Sequence, residues 1–190
     1  MKNLLFVVLV LFGVSTAYAL EVAGIRFDDQ VRLGPNDALV NGAGMRKMAI
    51  FRIYAMALYL PEKSSEVGAV LSSKGAKRVA ISLLRDVTAQ QFVDGLQEGI
   101  ADNHSETEMA TLRDRVDVFS EAMLGIGEAK TGTRVFIDWL PDSGTRLTVN
   151  GRVVGTDIAG EDFYKAILKI WLGNKPVQGD LKQALLGKLS

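Results

Sequence analysis

The 190-residue chain balances 22 Lys and Arg against 22 Asp and Glu, is 48% hydrophobic and contains no cysteine. Neither sign of charge forms a long run, so the electrostatic footprint of a nucleic-acid binder is missing, and disulfides and Cys-based metal or redox chemistry are excluded. Stability must come from apolar burial, in a chain long enough for one sizeable core.

Residues 1–19 divide into a charged start at Lys2, an unbroken apolar run from Leu4 to Phe12 and a small-x-small ending at Ala17-Tyr18-Ala19. These are the three zones of a cleavable export signal. The run is shorter than the ~20 residues of a spanning helix, so no stable membrane anchor is expected. Residues 20–190 are expected to form one exported domain, with the periplasm as its destination.

Apolar alternation then predicts strands at Val22–Phe27, Ala49–Leu60, Lys77–Leu84, Arg134–Leu140, Thr145–Asn150 and Gly151–Val154. Pro141-Asp142-Ser143-Gly144 marks a hairpin turn between two of them. Thr88 with Gln91, and Ser105 with Glu108, are capping boxes. The first opens a helix with Phe92, Leu96 and Ile100 on one stripe; the second opens one lined by Met109, Leu112, Val116, Phe119 and Met123. A third helix carries Phe163, Ile167, Ile170 and Trp171 and stops at Gly173, and a short fourth is expected near Leu181–Leu189. The order of elements predicts an α+β domain, an antiparallel sheet with helices on one face and an apolar cleft between the layers.

Few residues offer chemistry. His104, the single histidine, falls in a loop between two capped helices and reads as solvated; no metal, cofactor or catalytic motif accompanies it. Glu161-Asp162 suits a helix start and Asp28-Asp29 a turn, since adjacent carboxylates point apart. Gly42-Ala43-Gly44 reads as a turn or bulge rather than a dinucleotide loop. Arg46 precedes a strand on which Tyr54 shares a face with Met56, Leu58 and Leu60. Either the two hold a carboxylate at the mouth of an apolar cleft, or Arg46 pairs with a structural acid and Tyr54 is core.

Three stretches resemble one family. Gly42-Ala43-Gly44-Met45-Arg46 followed by Arg52 to Leu60, the junction Arg85 to Phe92, and Ile170-Trp171-Leu172-Gly173 with Pro176 to Lys182 are similar to the motifs of the chalcone isomerase-like family. The resemblance implies an open-faced β-sandwich, an antiparallel sheet backed by helices. The plant enzymes of that family use an arginine, a threonine, a lysine, a tyrosine and an asparagine, which align with Arg46, Tyr54, Leu83, Phe92 and Gly99. Only the arginine is kept, so chalcone cyclisation is not expected and no residue is assigned a catalytic role.

Arginine with tyrosine instead resembles the fatty-acid-binding branch. This implies a small amphipathic carboxylate as ligand, bound by Arg46 and Tyr54 in a cleft lined by Met56, Leu83, Phe92, Gly99 and Ile170. An isomerase or lyase using Arg46, and an interaction domain with no small ligand, are the alternatives. Fully extended, residues 46–54 would hold Arg46 and Tyr54 roughly 26 Å apart, so the resemblance requires a chain reversal. Lys47-Met48-Ala49 contains no turn-forming residue to announce one.

Overall fold

A computed structural model describes residues 19–188. The export signal expected over 1–19 lies, save for Ala19, outside the described residues. Within them the chain runs β1 (Leu20–Val22), β2 (Ile25–Phe27), β3 (Gln30–Leu33), β4 (Asn36–Met48), β5 (Phe51–Leu60), α1 (Val67–Ser72), β6 (Lys77–Leu83), β7 (Val87–Thr88) and α2 (Ala89–Ala101). It continues with α3 (Glu106–Leu124), β8 (Glu128–Ala129), β9 (Arg134–Leu140), β10 (Gly144–Val149), β11 (Arg152–Ile158), α4 (Glu161–Leu172) and α5 (Gly179–Leu185). Seven strands form one antiparallel sheet in the order β11-β10-β9-β6-β5-β4-β3, and β1–β2 and β7–β8 are separate ribbons.

Strand alternation divides the core between the two faces of the sheet. Met56, Leu58 and Leu60 of β5 and Val79, Ile81 and Leu83 of β6 meet the apolar stripes of α2, α3 and α4. Ala55, Ala57 and Tyr59 point the other way, into a smaller core with Phe27, Leu33, Ala38 and Val40. This is the expected α+β arrangement, with the helices on one side. Every buried core residue lies between Phe27 and Leu186, so a chain beginning at Leu20 carries the whole described core.

Several boundaries differ from expectation. The stretch Val22–Phe27 is not one strand: the chain reverses at Ala23-Gly24, both at positive φ, and pairs β1 with β2. Ala49 lies in a turn, and β5 starts at Phe51. Helix α1 and strand β3 are too short for periodicity to reveal. The largest departure is β4, a 13-residue strand running through Gly42-Ala43-Gly44.

These glycines are a tertiary requirement, because α5 lies directly on β4. A Cβ on Gly42 would run into the backbone oxygen of Ala184, and one on Gly44 would sit 2.8 Å from the Ala184 Cβ and the Leu181 Cδ1. Asn41, unpaired at a bulge between Val40 and Gly42, donates to the carbonyls of Leu185 at 2.7 Å and Ser64 at 2.9 Å. Gly42→Ala should therefore lower stability by about 1–3 kcal/mol, because the neighbour that must move is backbone. A urea midpoint equal to that of the parent protein would show that α5 yields without cost.

Candidate functional site

The site is built by the β4–β5 hairpin. Met48 pairs with Phe51 across a two-residue turn, Ala49-Ile50, in which Ala49 adopts φ 52°. Register then slips between Arg46 and Lys47: Lys47 opposes Arg52 and Arg46 opposes Tyr54, leaving Ile53 as the extra residue of a bulge. The reversal that the sequence does not announce is therefore present. Tyr54 in turn opposes Leu83 of β6, so Arg46, Tyr54 and Leu83 lie side by side on three neighbouring strands.

Arg46 is held by neutral groups. Its Nη1 donates to the Lys47 carbonyl at 2.6 Å and to the Gln178 Oε1 at 3.2 Å. The same Gln178 oxygen accepts from the Lys47 N–H at 2.7 Å, and its amide nitrogen donates to the Met45 carbonyl at 3.0 Å. Gln178, just before α5, thus ties the end of β4 to the C-terminal segment. Among the described residues no carboxylate forms an ion pair with Arg46. Among the described residues no structural acid explains this arginine, which Gln178 and the Lys47 carbonyl hold instead.

The Tyr54 hydroxyl accepts from the Trp171 Nε1–H at 2.9 Å. Burial pushes the phenol's pKa up; the Trp171 hydrogen bond and the nearby Arg46 charge oppose this but do not cancel it. The phenol keeps its proton at neutral pH. With its lone pair engaged by Trp171, it has an O–H still to donate, beside a guanidinium that lacks a counter-ion.

The other expected cleft residues do not all gather here. Met56 lies between Gly44 and Ile81, one step deeper along the same face. Gly99 of α2 and Ile170 of α4 pack on each other: a Cβ on Gly99 would be 2.8 Å from the Ile170 Cγ2, so the glycine permits close helix approach. Phe92 lines a separate apolar cavity of about 20 Å³ with Met123, Ile126, Val135, Leu147 and Val149. Trp171 and Gln178 are the site residues that sequence reasoning missed as such. Both lie in the C-terminal stretch that carries the family resemblance, and that was the available signal.

Several other titratable groups have structural partners. Asp162 forms a bidentate pair with Arg115 at 2.7 and 2.6 Å, and Glu161 holds Lys77 at 3.1 Å. His104 is in its expected loop but half-buried, its Nδ1 2.7 Å from the Ile100 carbonyl and its Nε2 3.3 Å from the Lys169 Nζ. Among the described residues no three His, Asp or Glu side chains converge as a metal-binding group, and no helix is long and apolar enough to cross a membrane.

Residues 19–187 match the protein family described as chalcone isomerase-like. The crystal structure of a fatty-acid binding protein from Arabidopsis thaliana superposes with a TM-score of 0.68 at 12% identity, over 86% of this chain and 92% of that one. At this identity the likeness is one of fold. The chain has no match among curated protein sequences.

Proposed function

The chain belongs to the chalcone isomerase-like family, and within it we propose that the protein is an exported, non-catalytic binder of a small amphipathic carboxylate such as a fatty acid. One observation carries this reading: two donors on directly paired residues, Arg46 and Tyr54, have no anion to share among the described residues. The Arg46 guanidinium has no anionic partner among the described residues, and the Tyr54 hydroxyl, already accepting from Trp171, faces it across one strand pair. A carboxylate satisfies both groups at once. The fold shared with a fatty-acid binding protein supports the same ligand class.

Leu83, beside Tyr54, supplies apolar surface for the ligand's chain and no proton-transfer group, which weighs against an isomerase or lyase. Met56 lies deeper, and its unbranched side chain can shift rotamer. Leu83 and Met56 are both 1% exposed, so the apolar layer around them is tightly filled. The cavity at Phe92 holds about 20 Å³, whereas sites for drug-sized ligands enclose ~300–1,000 Å³. An acyl chain therefore enters by displacing side chains between sheet and helices. That tight filling is also what favours the second reading, an interaction domain whose cleft is occupied by its own residues.

Export rests on the three zones of residues 1–19. The family match from residue 19 and the start of β1 at Leu20 support cleavage after Ala19, leaving 20–190 as the domain. Native mass spectrometry of protein recovered from the exported fraction tests both parts. The polypeptide mass should correspond to a chain starting at Leu20, with a fatty-acid-sized adduct that dissociates on activation. An uncleaved mass would overturn export with processing. A processed chain that stays empty in the presence of excess fatty acids would favour the interaction domain.

A further inference from the structure

Beyond the carboxylate site, the geometry points to a lipid-docking tip: the end of the β4–β5 hairpin inserts its apolar side chains into an anionic membrane surface while the surrounding cations contact lipid phosphates. The hairpin end outruns its neighbours in the sheet. Strand β3 pairs with β4 only over Asn36 to Leu39, far from the tip, and the chain leaving β6 holds β5 no further than Ile53, whose carbonyl accepts from the Leu84 N–H at 2.9 Å. Residues Lys47 to Arg52 thus project as a two-stranded ribbon. At its end Ile50 is 89% exposed, Met48 58% and Phe51 50%.

Three large apolar side chains on adjoining positions of one projecting turn form a patch rather than scattered exposure. Two-residue hairpins normally carry Asn-Gly or a similar pair; here Ala-Ile is used, with Ala49 held at φ 52° despite its Cβ. The turn sacrifices favourable backbone chemistry and presents an apolar tip.

The charges around the tip select the occupant. Lys47 and Arg52 flank it on the two strands, and Arg85, from the connection after β6, lies with its guanidinium 4.7 Å over the Phe51 ring. All three are exposed and none forms an ion pair among the described residues. The acids nearby are engaged elsewhere. Asp86 accepts from Thr131 and pairs with Lys130, and Asp180, which feels the Lys47 charge, accepts from the Leu181 N–H. On a chain of zero net charge this is a local cationic ring around an apolar point. A protein partner would need a complementary pocket, whereas an anionic bilayer offers phosphates at the level of the cations and hydrocarbon below them.

Sedimentation with vesicles tests the tip independently of any bound acid. A chain beginning at Leu20 should pellet with phosphatidylcholine vesicles that contain phosphatidylglycerol, should largely stay in solution with phosphatidylcholine alone, and should be released by raised salt. Ile50→Asp should lower the partition coefficient about tenfold or more with no change in melting temperature, since Ile50 packs against almost nothing. Lys47→Glu should weaken binding and flatten its salt dependence. Failure to pellet with the anionic vesicles overturns the inference, as does equal pelleting of Ile50→Asp. A concentration-dependent dimer that Ile50→Asp dissolves, without vesicle binding, overturns it in favour of a contact between copies.

Discussion

Arg46→Ala is expected to weaken binding of a saturated medium-chain fatty acid about ten- to a hundredfold, the range given by a net ~1.5–3 kcal/mol for a hydrogen bond to a charged group. The methyl ester of the same acid should lose no more than about twofold, because it presents no charge for the guanidinium to meet. The comparison isolates the anchor, since both ligands bury the same chain. Stability should hardly change. Arg46 bonds only to the Lys47 carbonyl and Gln178, and Gln178 keeps its contacts to the backbone of Lys47 and Met45 without it. Titration calorimetry with acid and ester, alongside thermal melts, reads all three quantities. Equal losses for the two ligands with a parallel fall in melting temperature would identify Arg46 as a structural brace between β4 and the segment before α5. Tyr54→Phe is a less clean probe, because it also leaves the buried Trp171 N–H without its acceptor.

Helices α2 and α3 are legible in sequence because their starts carry polar marks. Thr88 and Gln91 exchange hydrogen bonds at 3.2 and 3.0 Å, Ser105 and Glu108 do so at 3.3 and 2.8 Å, and each box opens a run with an apolar stripe. β5, β6, β9 and β10 are legible by their apolar pattern: β9 and β10 mix apolar and polar positions, while β5 and β6, buried on both faces, read as near-continuous apolar runs. β4 is not. Its glycines are poor strand formers locally, and they are needed because α5, more than a hundred residues later in the chain, lies against the strand. No local rule contains that information.

The site divides along the same line. Arg46 and Tyr54 could be singled out by residue type, but their meeting depends on a turn through Ala49-Ile50 and a bulge at Ile53, neither of which has turn chemistry in its letters. The family resemblance supplied the reversal that propensity would have denied. Phe92 and Gly99 join the expected cleft only through alignment with the plant enzymes' tyrosine and asparagine. Here Gly99 is consumed by contact with Ile170, and Phe92 faces its own small cavity. The groups that complete the anchor, Trp171 and Gln178, reach it from either side of the α4–α5 connection, and only the folded chain brings them to β4 and β5.

The second large effect lies at the opposite end of α4 from Trp171. Glu161→Gln should lower unfolding stability by about 3 kcal/mol near neutral pH. Lys77 on β6 is 1% exposed and its Nζ lies 3.1 Å from the Glu161 Oε1, in the first turn of α4. Burial pushes the Lys77 pKa down from 10.5, while the hydrogen bond and charge of Glu161 hold it up; Lys165 and Lys74 add repulsion. Removing the carboxylate charge leaves a buried ammonium facing two more cations.

The sign with pH follows from protons bound. With the folded pKa below the unfolded one, the folded state binds fewer protons in the window between them, and stability contributed by this group rises with pH across it. Without Glu161 the folded pKa falls further and the window widens downward, so the deficit of the variant should be smaller in alkaline solution than at neutral pH, as Lys77 loses its charge. Lys74→Ala is the control: Lys74 is 84% exposed and 3.5 Å from the same carboxylate, and should change stability by less than about 0.5 kcal/mol. Urea unfolding at neutral and at alkaline pH reads the result. A Glu161→Gln deficit as small as the control's, or one that stays constant with pH, would mean that α4 is fixed by its apolar face alone. A deficit that behaves as expected makes the Lys77–Glu161 pair the clamp on one end of α4, and loosening it should be felt at the other end as weaker Trp171–Tyr54 contact and a less ordered anchor.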